Sequence, residues 1–253
     1  MIGPGDTRAF EIEVAASRTW PTSVLREADG WLLRSCQLLT RKRSNSALPP
    51  SAIRDVEASV DRVERFYRAC GSNALVQVSP RGQHRELDGL LGARGYRSVS
   101  PTEVLTAEVG ALADPAPDDV RVVLHGSPEP EWFSACDRVG LSREPGLARI
   151  PAPVAFAVAE RGSLPVGVAL VAVDGAWAGV YCLSTYPDAR GSGVARAVVS
   201  AGARWAAARG AAELFLQVES HNERARGVFA RLGFVRSHGY HYRIRDRISD
   251  ALD

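Results

Sequence analysis

The chain has few of the features that mark a secreted, membrane-spanning or metal-binding protein. Its four cysteines are widely spaced and match no metal-ligand pattern, so we expect reduced thiols at Cys36, Cys70, Cys136 and Cys182. No apolar run approaches the roughly 18 residues that a membrane-spanning helix needs, and the first residues lack the layout of a signal peptide. These absences predict a cytoplasmic protein that has no membrane partner.

A strong charge of one sign is also missing. The chain of 253 residues has 31 basic and 29 acidic side chains, so its charge predicts no nucleic-acid partner. Lys42 is the one lysine, and we interpret the excess of arginine as a composition bias rather than as an anion-binding signature. With 45% hydrophobic residues, the length allows one large or two small globular domains.

The stretch from Thr185 to Ala195 predicts a site for a phosphate group. It follows an apolar strand, Trp177 to Leu183, and precedes a helix that continues to Gly210. Gly191 and Gly193 permit the positive φ values and the close backbone approach that a bound anion needs. The unpaired N–H groups and the positive dipole end of the helix favour the same ligand. Strand, loop and helix together therefore indicate a pyrophosphate site.

Three nucleotide-binding motifs and one ordinary turn could account for this loop. The phosphate loop of NTPases needs a lysine and a hydroxyl residue after its last glycine, where this chain has Val194 and Ala195. A dinucleotide fingerprint needs a third glycine and a later acidic residue; Ala195 and Glu219 could be assigned to these places, but the loop lies late in the chain. An ordinary glycine turn before a helix needs no ligand at all.

The third nucleotide motif is an acyl-CoA loop, Arg/Gln-x-x-Gly-x-Gly/Ala, which Arg190, Gly193 and Ala195 match. A second motif, Asn-x-x-Ala-x-x-x-Tyr-x-x-x-Gly-Phe, is matched downstream at Asn222, Ala225, Phe229 and Gly233-Phe234. On these two linked motifs, the segment from Val120 to Arg245 resembles the Gcn5-related N-acetyltransferase (GNAT) family. The departure is Phe229, where the family usually has tyrosine.

The resemblance implies an α/β fold in which a mixed, mostly antiparallel sheet splays at its centre and carries flanking helices. It implies acetyl-CoA or another acyl-CoA as the cosubstrate, and a primary amine of a small molecule or protein as the acceptor, which attacks the thioester directly in a ternary complex. The protein would act as a monomer or homodimer. The residues implied to bind the cosubstrate are Leu183, Ser184, Thr185, Arg190, Gly191, Ser192, Gly193, Val194, Ala195, Asn222, Ala225 and Phe229.

The two halves of the chain also resemble one another, which predicts a tandem repeat. Leu75 to Val78 parallels Phe215 to Val218, and a helix that ends at Gly95 parallels one that ends at Gly233. We call the loop of the second half, from Arg190 to Ala195, the cradle. The corresponding stretch of the first half, Asn45 to Pro50, has no glycine loop and no arginine at the position that matches Arg190. We therefore expect one cofactor site per chain.

This comparison predicts two domains. A degenerate GNAT-like domain without a cofactor loop is expected over residues 1–113, and an acyl-CoA-binding GNAT domain over residues 118–246, with a proline-rich linker at 114–119. Residues 143–153 are expected to form a loop. A non-repeating αβ extension before a single GNAT domain is the alternative.

Local patterns in the first half predict its elements less sharply. A short helix and a loop are expected within residues 9–28, a strand from Trp31 that continues to Ser46, and a helix over 52–69 that Ser51 caps. The basic run from Arg41 to Arg43 is expected either to be a solvated edge or loop, or to contact CoA phosphates or an anionic acceptor.

The candidate catalytic residues are Glu219 and Tyr181. Glu219 closes a strand beside the expected splay and could take a proton from the amine through a water. The phenyl ring at the family's tyrosine position cannot protonate the leaving thiolate, so either Tyr181, Tyr186 or Tyr240 serves, or the thiolate leaves unassisted or through water. Cys182 is expected to be a buried small hydrophobe rather than a nucleophile. No metal is predicted, because no dependable ligand spacing joins His221, His238 and His241.

The missing phenol and the degenerate first half support a rival function. A non-catalytic sensor or interaction module that binds CoA would need the cradle but no acid or base. Both functions predict CoA binding, and only the enzyme predicts release of the CoA thiol.

Overall fold

The computed structural model describes residues 4–80, 82, 84–112, 117–138, 147, 149–150 and 153–246. The elements of the first half are α1 (Pro4–Thr19), β1 (Val24–Ala28), β2 (Trp31–Ser35), β3 (Ala47–Leu48), α2 (Val56–Ala69), β4 (Ala74–Val78), α3 (Arg85–Ala93) and β5 (Arg97–Glu108). The elements of the second half are β6 (Arg121–His125), α4 (Pro130–Arg138), β7 (Val154–Arg161), β8 (Leu164–Asp174), β9 (Trp177–Thr185), α5 (Val194–Ala207), β10 (Glu213–Glu219), α6 (Glu223–Arg231) and β11 (Val235–Arg245).

The eleven strands form one continuous sheet in the order β1-β2-β3-β4-β11-β5-β10-β9-β8-β7-β6. Neighbouring strands are antiparallel except for two parallel pairs, β3 with β4 and β9 with β10. The mixed, mostly antiparallel sheet with flanking helices confirms the predicted fold class. In the described part of the chain, no helix is long and apolar enough to cross a membrane.

The centre of the sheet joins the two halves by an exchange of strands. β5, the last strand of the first half, pairs with β10, so that Leu105 lies opposite Leu216. β11, the last strand of the second half, pairs with β4, so that His241 lies opposite Val78. Each half therefore completes its part of the sheet with a strand from the other half. The division between residues 113 and 118 stays a prediction, as does the tandem repeat.

The sheet splays where β9 and β10 meet, as predicted. The two strands pair only from Trp177 to Gly179 and from Glu213 to Phe215, and beyond these residues they separate. β9 is also bulged: Cys182 has a φ of 55°, and the register with β8 shifts between Tyr181 and Ser184. A bulge bends a strand and redirects its side chains. The edge of β9 beyond Gly179 is therefore left open by the conformation of the backbone, because the strand bends there and no longer pairs with β10.

Three predictions for the first half were wrong in detail. Residues 4–19 form a four-turn helix rather than a short one, and α2 begins at Val56, where Asp55 rather than Ser51 accepts the capping bond from Ala58 N. The strand from Trp31 ends at Ser35 because Asn45 closes the following loop: its Oδ1 accepts from Cys36 N at 2.7 Å. A 3₁₀ turn at Lys42–Ser44 follows instead of a longer strand.

The described segments cover only part of two predicted irregular stretches. Residues 114–116 of the predicted linker lie outside the described residues, and so do 143–146, 148 and 151–152 of the predicted loop.

α1 packs against β8 and β9, and its Ile12, Ala15 and Ala16 belong to the same core cluster as Phe156 and Phe215. The first half therefore contributes directly to the core beneath the splay.

Candidate active site

A groove of about 610 Å³ lies between the glycine loop and α6. Its lining includes eleven of the twelve residues that the resemblance implies for the cosubstrate: Leu183, Ser184, Thr185, Arg190, Gly191, Gly193, Val194, Ala195, Asn222, Ala225 and Phe229. The twelfth, Ser192, lies behind the loop, where its hydroxyl donates to Ala189 O at 2.7 Å and accepts from Arg161 Nη2 at 3.0 Å. The fold thus brings together two motifs that are separate in the sequence.

The glycine loop has the backbone geometry that its sequence predicts. Gly191 and Gly193 have φ values of 78° and 83°, a region that side chains rarely tolerate. Gly193 is the N-cap of α5, and a Cβ atom there would lie 2.6 Å from Cγ of Pro117. The first turn of a helix leaves its N–H groups without intrahelical partners. The loop therefore presents backbone donors at a place where only glycine fits.

Positive side chains surround the same groove. Arg190, Arg196, Arg224 and Arg231 line it, and none of its described lining residues is acidic. Sequence reasoning found Arg190 but missed the other three. The spacing of Arg224, Val228 and Arg231 on α6 is i, i+4 and i+7, which places them on one helical face and could have revealed them. The groove is electrostatically suited to a ligand with several negative charges.

The second motif has structural roles as well as a position on the groove. Asn222 is the N-cap of α6, and its Oδ1 accepts a hydrogen bond from Ala225 N at 3.0 Å. Phe229 packs edge to face on Phe234, with the ring centroids 5.9 Å apart. The ring of Phe229 therefore forms an apolar wall of the groove without a hydroxyl group.

Tyr181 lies beneath the splay and not on the lining of the groove. Its hydroxyl oxygen is 2.7 Å from Oγ1 of Thr19, whose own proton goes to Ala15 O at 2.7 Å. Because a hydroxyl carries one proton, the tyrosine is the donor in the first of these bonds. Burial raises the pKa of Tyr181 to about 12, so the phenol is neutral at physiological pH.

The other candidate acids and the candidate base occupy different places. Tyr240 is buried and donates to Gln217 Oε1 at 3.2 Å, and burial raises its pKa well above the usual value. Tyr186 is buried as well. Glu219 is at the end of β10 with 53% of its side chain exposed, 3.4 Å from His221 Nε2. None of these side chains lines the described groove.

A buried polar network at the junction of the halves was missed in the sequence. Glu13 of α1 is 1% exposed, and its carboxylate accepts hydrogen bonds from Ser79 at 2.8 Å and from Gln77 at 2.6 Å. His238 Nε2 of β11 also lies 2.8 Å from this carboxylate. Arg34 continues the network with a bond of 2.8 Å to Gln77 Oε1. No local spacing could reveal contacts between residues so distant in the sequence.

Three of the five histidines lie beside carboxylates. His241 Nε2 lies 2.7 Å from Asp88 Oδ1, as His238 does from Glu13 and His221 from Glu219. Across the described segments, no group of three or more potential ligands is placed to hold a metal ion.

Comparisons with known proteins identify one family and one relative that match almost the whole chain, and a second relative that matches a short stretch of it. The family model described as "Probable histone acetyltransferase Rv0428c C-terminal" matches residues 6–243. The "Uncharacterized N-acetyltransferase YobR" of Bacillus subtilis (strain 168) is 26% identical over 248 residues, which are 93% of this chain and 98% of the relative. The "Mycothiol acetyltransferase" of Amycolatopsis mediterranei (strain U-32) is 42% identical over 57 residues, 22% of this chain and 19% of the relative.

Solved structures share the fold over a similar extent. A "GCN5-related N-acetyltransferase from Kribbella flavida" has a TM-score of 0.73 at 17% identity, with 96% of this chain and 97% of that chain covered. A "Tandem GNAT protein from the clavulanic acid biosynthesis pathway" has a TM-score of 0.58 at 12% identity, with 79% and 75% covered. The similarity to the Kribbella flavida structure covers 96% of this chain and therefore includes both halves of the sheet.

Proposed function

The chain belongs to the Gcn5-related N-acetyltransferase family, and from this premise we propose that it transfers an acetyl group from acetyl-CoA to a primary amine in a ternary complex. The observation that carries the proposal is the groove, where the glycine loop and α6 face each other. The names of its relatives include acetyltransferases for a protein and for a small molecule. We propose an acceptor from one of these two classes.

The cradle fits the pyrophosphate of CoA. Backbone donors of the loop from Gly191 to Ala195 lie at the N-terminus of α5, where the helix dipole favours an anion. Arg190 and Arg196 add positive charge beside the loop, and Arg224 and Arg231 extend it along α6. We propose that the first pair holds the pyrophosphate and the second pair the remaining phosphate of the nucleotide.

The open edge of β9 fits the pantetheine arm. Ser184 and Thr185 pair with β8 on one side, while their other side faces the space from which β10 has separated. An extended ligand that carries amide groups can hydrogen-bond to such an edge in the manner of an added strand. We propose that Leu183, Ser184 and Thr185 bind the arm, with Phe229 as its apolar wall.

The transfer forms a C–N bond, breaks the C–S bond of the thioester and releases a thiolate and the amine proton. Holding the amine against the thioester in the groove supplies much of the catalysis. We propose Glu219 as the base, acting through a water, since its exposed carboxylate lies at the end of β10 beside the splay. Tyr181 is proposed as a positioning residue on the leaving side: its phenol is neutral, but its proton is donated to Thr19 Oγ1, so the thiolate takes its proton from elsewhere, such as water.

Two substitutions are expected to separate these roles. Glu219→Gln should lower kcat about 100-fold, the usual effect of losing a general base. Tyr181→Phe should lower kcat less than tenfold, because the phenol proton is already donated to Thr19 and Tyr181 does not line the groove. Steady-state kinetics at saturating acetyl-CoA measure both values. A 100-fold loss in Tyr181→Phe would instead make Tyr181 the direct proton donor, and an unchanged kcat in Glu219→Gln would remove the proposed base.

The proposed function is tested by release of CoA thiol in the presence of amines. We expect saturable, acceptor-dependent release with at least one member of a panel of small primary amines and lysine-containing peptides. The absence of a phenol from the groove lining favours the rival, a CoA-binding sensor. Tight binding of acetyl-CoA in calorimetry with no thiol release over the whole panel would support that rival, and absence of binding would contradict both functions.

We propose that the two halves are copies of one ancestral unit and that the second copy alone keeps a cofactor site. The equivalent positions of β4 with β10 and of β5 with β11 in the exchanged sheet support this proposal. We also propose that the protein is cytoplasmic and acts as a monomer or homodimer. None of the four cysteines, all of which lie in the described residues, forms a disulfide, which is compatible with a reducing compartment.

A further inference from the structure

Arg43 connects the first half of the chain to the splay. It belongs to the 3₁₀ turn Lys42–Ser44, and its guanidinium carbon lies 4.9 Å from the ring centroid of Trp20 and 5.2 Å from that of Tyr181. Tyr181 lies two residues before Leu183, which lines the inner end of the groove. The guanidinium therefore stands next to the part of β9 where the proposed thioester would lie.

The side chain of Arg43 is partly exposed, and one atom of its guanidinium is enclosed without a polar partner among the described residues. Its Nη1 atom is buried, and within the described segments it has no hydrogen-bond acceptor. Burial opposes the charged form, but the surrounding phenol and thiol groups of Tyr240, Tyr181, Tyr242 and Cys182 outweigh it and raise the pKa of Arg43. The group is therefore a fixed positive charge in an apolar and aromatic surrounding.

The buried carboxylate of the same region does not neutralise this charge. Both oxygens of Glu13 are occupied, by Ser79, His238 and Gln77. The other buried cation of the junction, Arg34, has its own acceptors, with bonds of 2.9 Å to the carbonyl and hydroxyl oxygens of Ser46. Arg34 thus has hydrogen-bond acceptors for Nε and Nη2, whereas Nη1 of Arg43 has none within the described residues.

An unpaired buried charge destabilises a fold, and stacking on aromatic rings offsets only part of that cost. Buried polar groups without partners occur where a ligand completes them. A single guanidinium fork matches a carboxylate or a phosphate. Arg43 is not among the residues that line the groove, where the nucleotide phosphates are proposed to bind, so a carboxylate is the anion assigned to it.

We infer that Arg43 binds a carboxylate group of the substrates, placed beside the reacting thioester. The inference rests on the proposed acyl transfer and narrows its substrate class. The carboxylate can belong to the acceptor, which is then an amino acid or a similar amino-carboxylate, or to the acyl chain of a dicarboxylic acyl-CoA. In both cases a residue of the half without a cofactor loop selects the substrate.

The experiment uses the full chain and pairs of probes that differ in one carboxylate. In the first arm, amino acids are compared with the corresponding decarboxylated amines, such as histidine with histamine and tyrosine with tyramine, at saturating acetyl-CoA. In the second arm, succinyl-CoA is compared with acetyl-CoA on the decarboxylated amines. We expect the carboxylate-bearing probe of one arm to have a kcat/KM at least about tenfold higher, as a charged hydrogen-bonded pair provides.

Variants of the same turn assign the preference to Arg43. Arg43→Met keeps the apolar stem over Trp20. It should bring the kcat/KM ratio between the carboxylate-bearing probe and its counterpart to about one, by raising KM for the carboxylate-bearing probe. The kcat/KM for the probes without that carboxylate should change less than threefold. Arg43→Lys should keep part of the preference. Lys42→Met removes a neighbouring exposed charge and should change nothing. Without substrate, the Tm of Arg43→Met should not fall, because the enclosed Nη1 atom has no hydrogen bond to lose and the apolar stem over Trp20 is kept.

The outcomes separate this inference from the proposed function. Turnover without a carboxylate preference in either arm, or a preference that persists in Arg43→Met, would overturn the inference alone. Absence of turnover with every probe would count against the proposed function. In that case calorimetry of histidine and tyrosine with the CoA-saturated chain decides: saturable binding that Arg43→Met abolishes supports the inference, and absence of binding contradicts it.

Discussion

Replacement of Gly193 by valine is expected to weaken CoA binding at least about 100-fold, equivalent to about 2.7 kcal/mol. Gly193 has a φ of 83°, where a β-branched residue is a severe outlier, and a Cβ atom there would lie 2.6 Å from Pro117. The loop must change shape to relieve both conflicts. Its backbone donors then no longer converge on one anion. Isothermal calorimetry with CoA measures the effect.

The matched control is Gly210→Val at the other end of α5. Gly210 has a φ of 89° but has no heavy atom within 4 Å of its Cβ position. Both variants should lose about 1–2 kcal/mol of stability from backbone strain, which leaves a domain of ordinary stability folded. Only Gly193→Val should lose CoA. If both variants bind CoA like the unmodified chain, the loop is not the pyrophosphate site.

Substitution of Glu13 by glutamine is expected to lower the free energy of unfolding by about 3–5 kcal/mol, the usual cost of removing one partner from a buried charged network. The amide group of the new side chain would face donors where the carboxylate accepts from Ser79, His238 and Gln77. In a chain of this size the Tm should fall by roughly 10 °C. Glu11→Gln, an exposed position of the same helix, should change stability by less than about 0.5 kcal/mol.

The same carboxylate makes stability depend on pH. Burial raises the pKa of Glu13, but the bond to His238, the charge of His238, the bond to Ser79 and the charge of Arg34 together bring it below the usual value of 4.5. A carboxyl group whose pKa is lower in the folded state stabilises the fold above its unfolded pKa. This contribution is lost as the pH falls below 4.5 and through the folded pKa.

Urea unfolding at pH 7 and pH 4 tests this linkage. The unmodified chain should lose more stability between the two values than Glu13→Gln, which has no carboxylate to protonate at this position. An equal loss in both chains would show that other groups control the acid sensitivity. Because α1 also carries Thr19 and ends beside Trp20, this variant tests whether the network supports the surroundings of Arg43.

The cradle and the second motif could be predicted because their residues are close together in the chain. Glycines between a strand and a helix predict a loop of positive φ, and Asn222, Ala225 and Phe229 share a short helix. Errors occurred where a side chain made a bond that the pattern did not show. Asn45 closes the loop after β2, and Asp55 displaces Ser51 as the cap of α2.

The sequence by itself therefore determined the family resemblance, because its two motifs follow from local spacing and side-chain type, and this resemblance implied the mixed sheet. It also predicted the residues of the cradle, which stay a proposal. Only the tertiary structure decided that β5 and β11 exchange between the halves and that Arg43 stands over Tyr181. It also decided that Glu13 meets His238, 225 positions later in the chain. Contacts of this kind depend on how the strands assemble into one sheet, and a periodic pattern along the chain carries no record of that order.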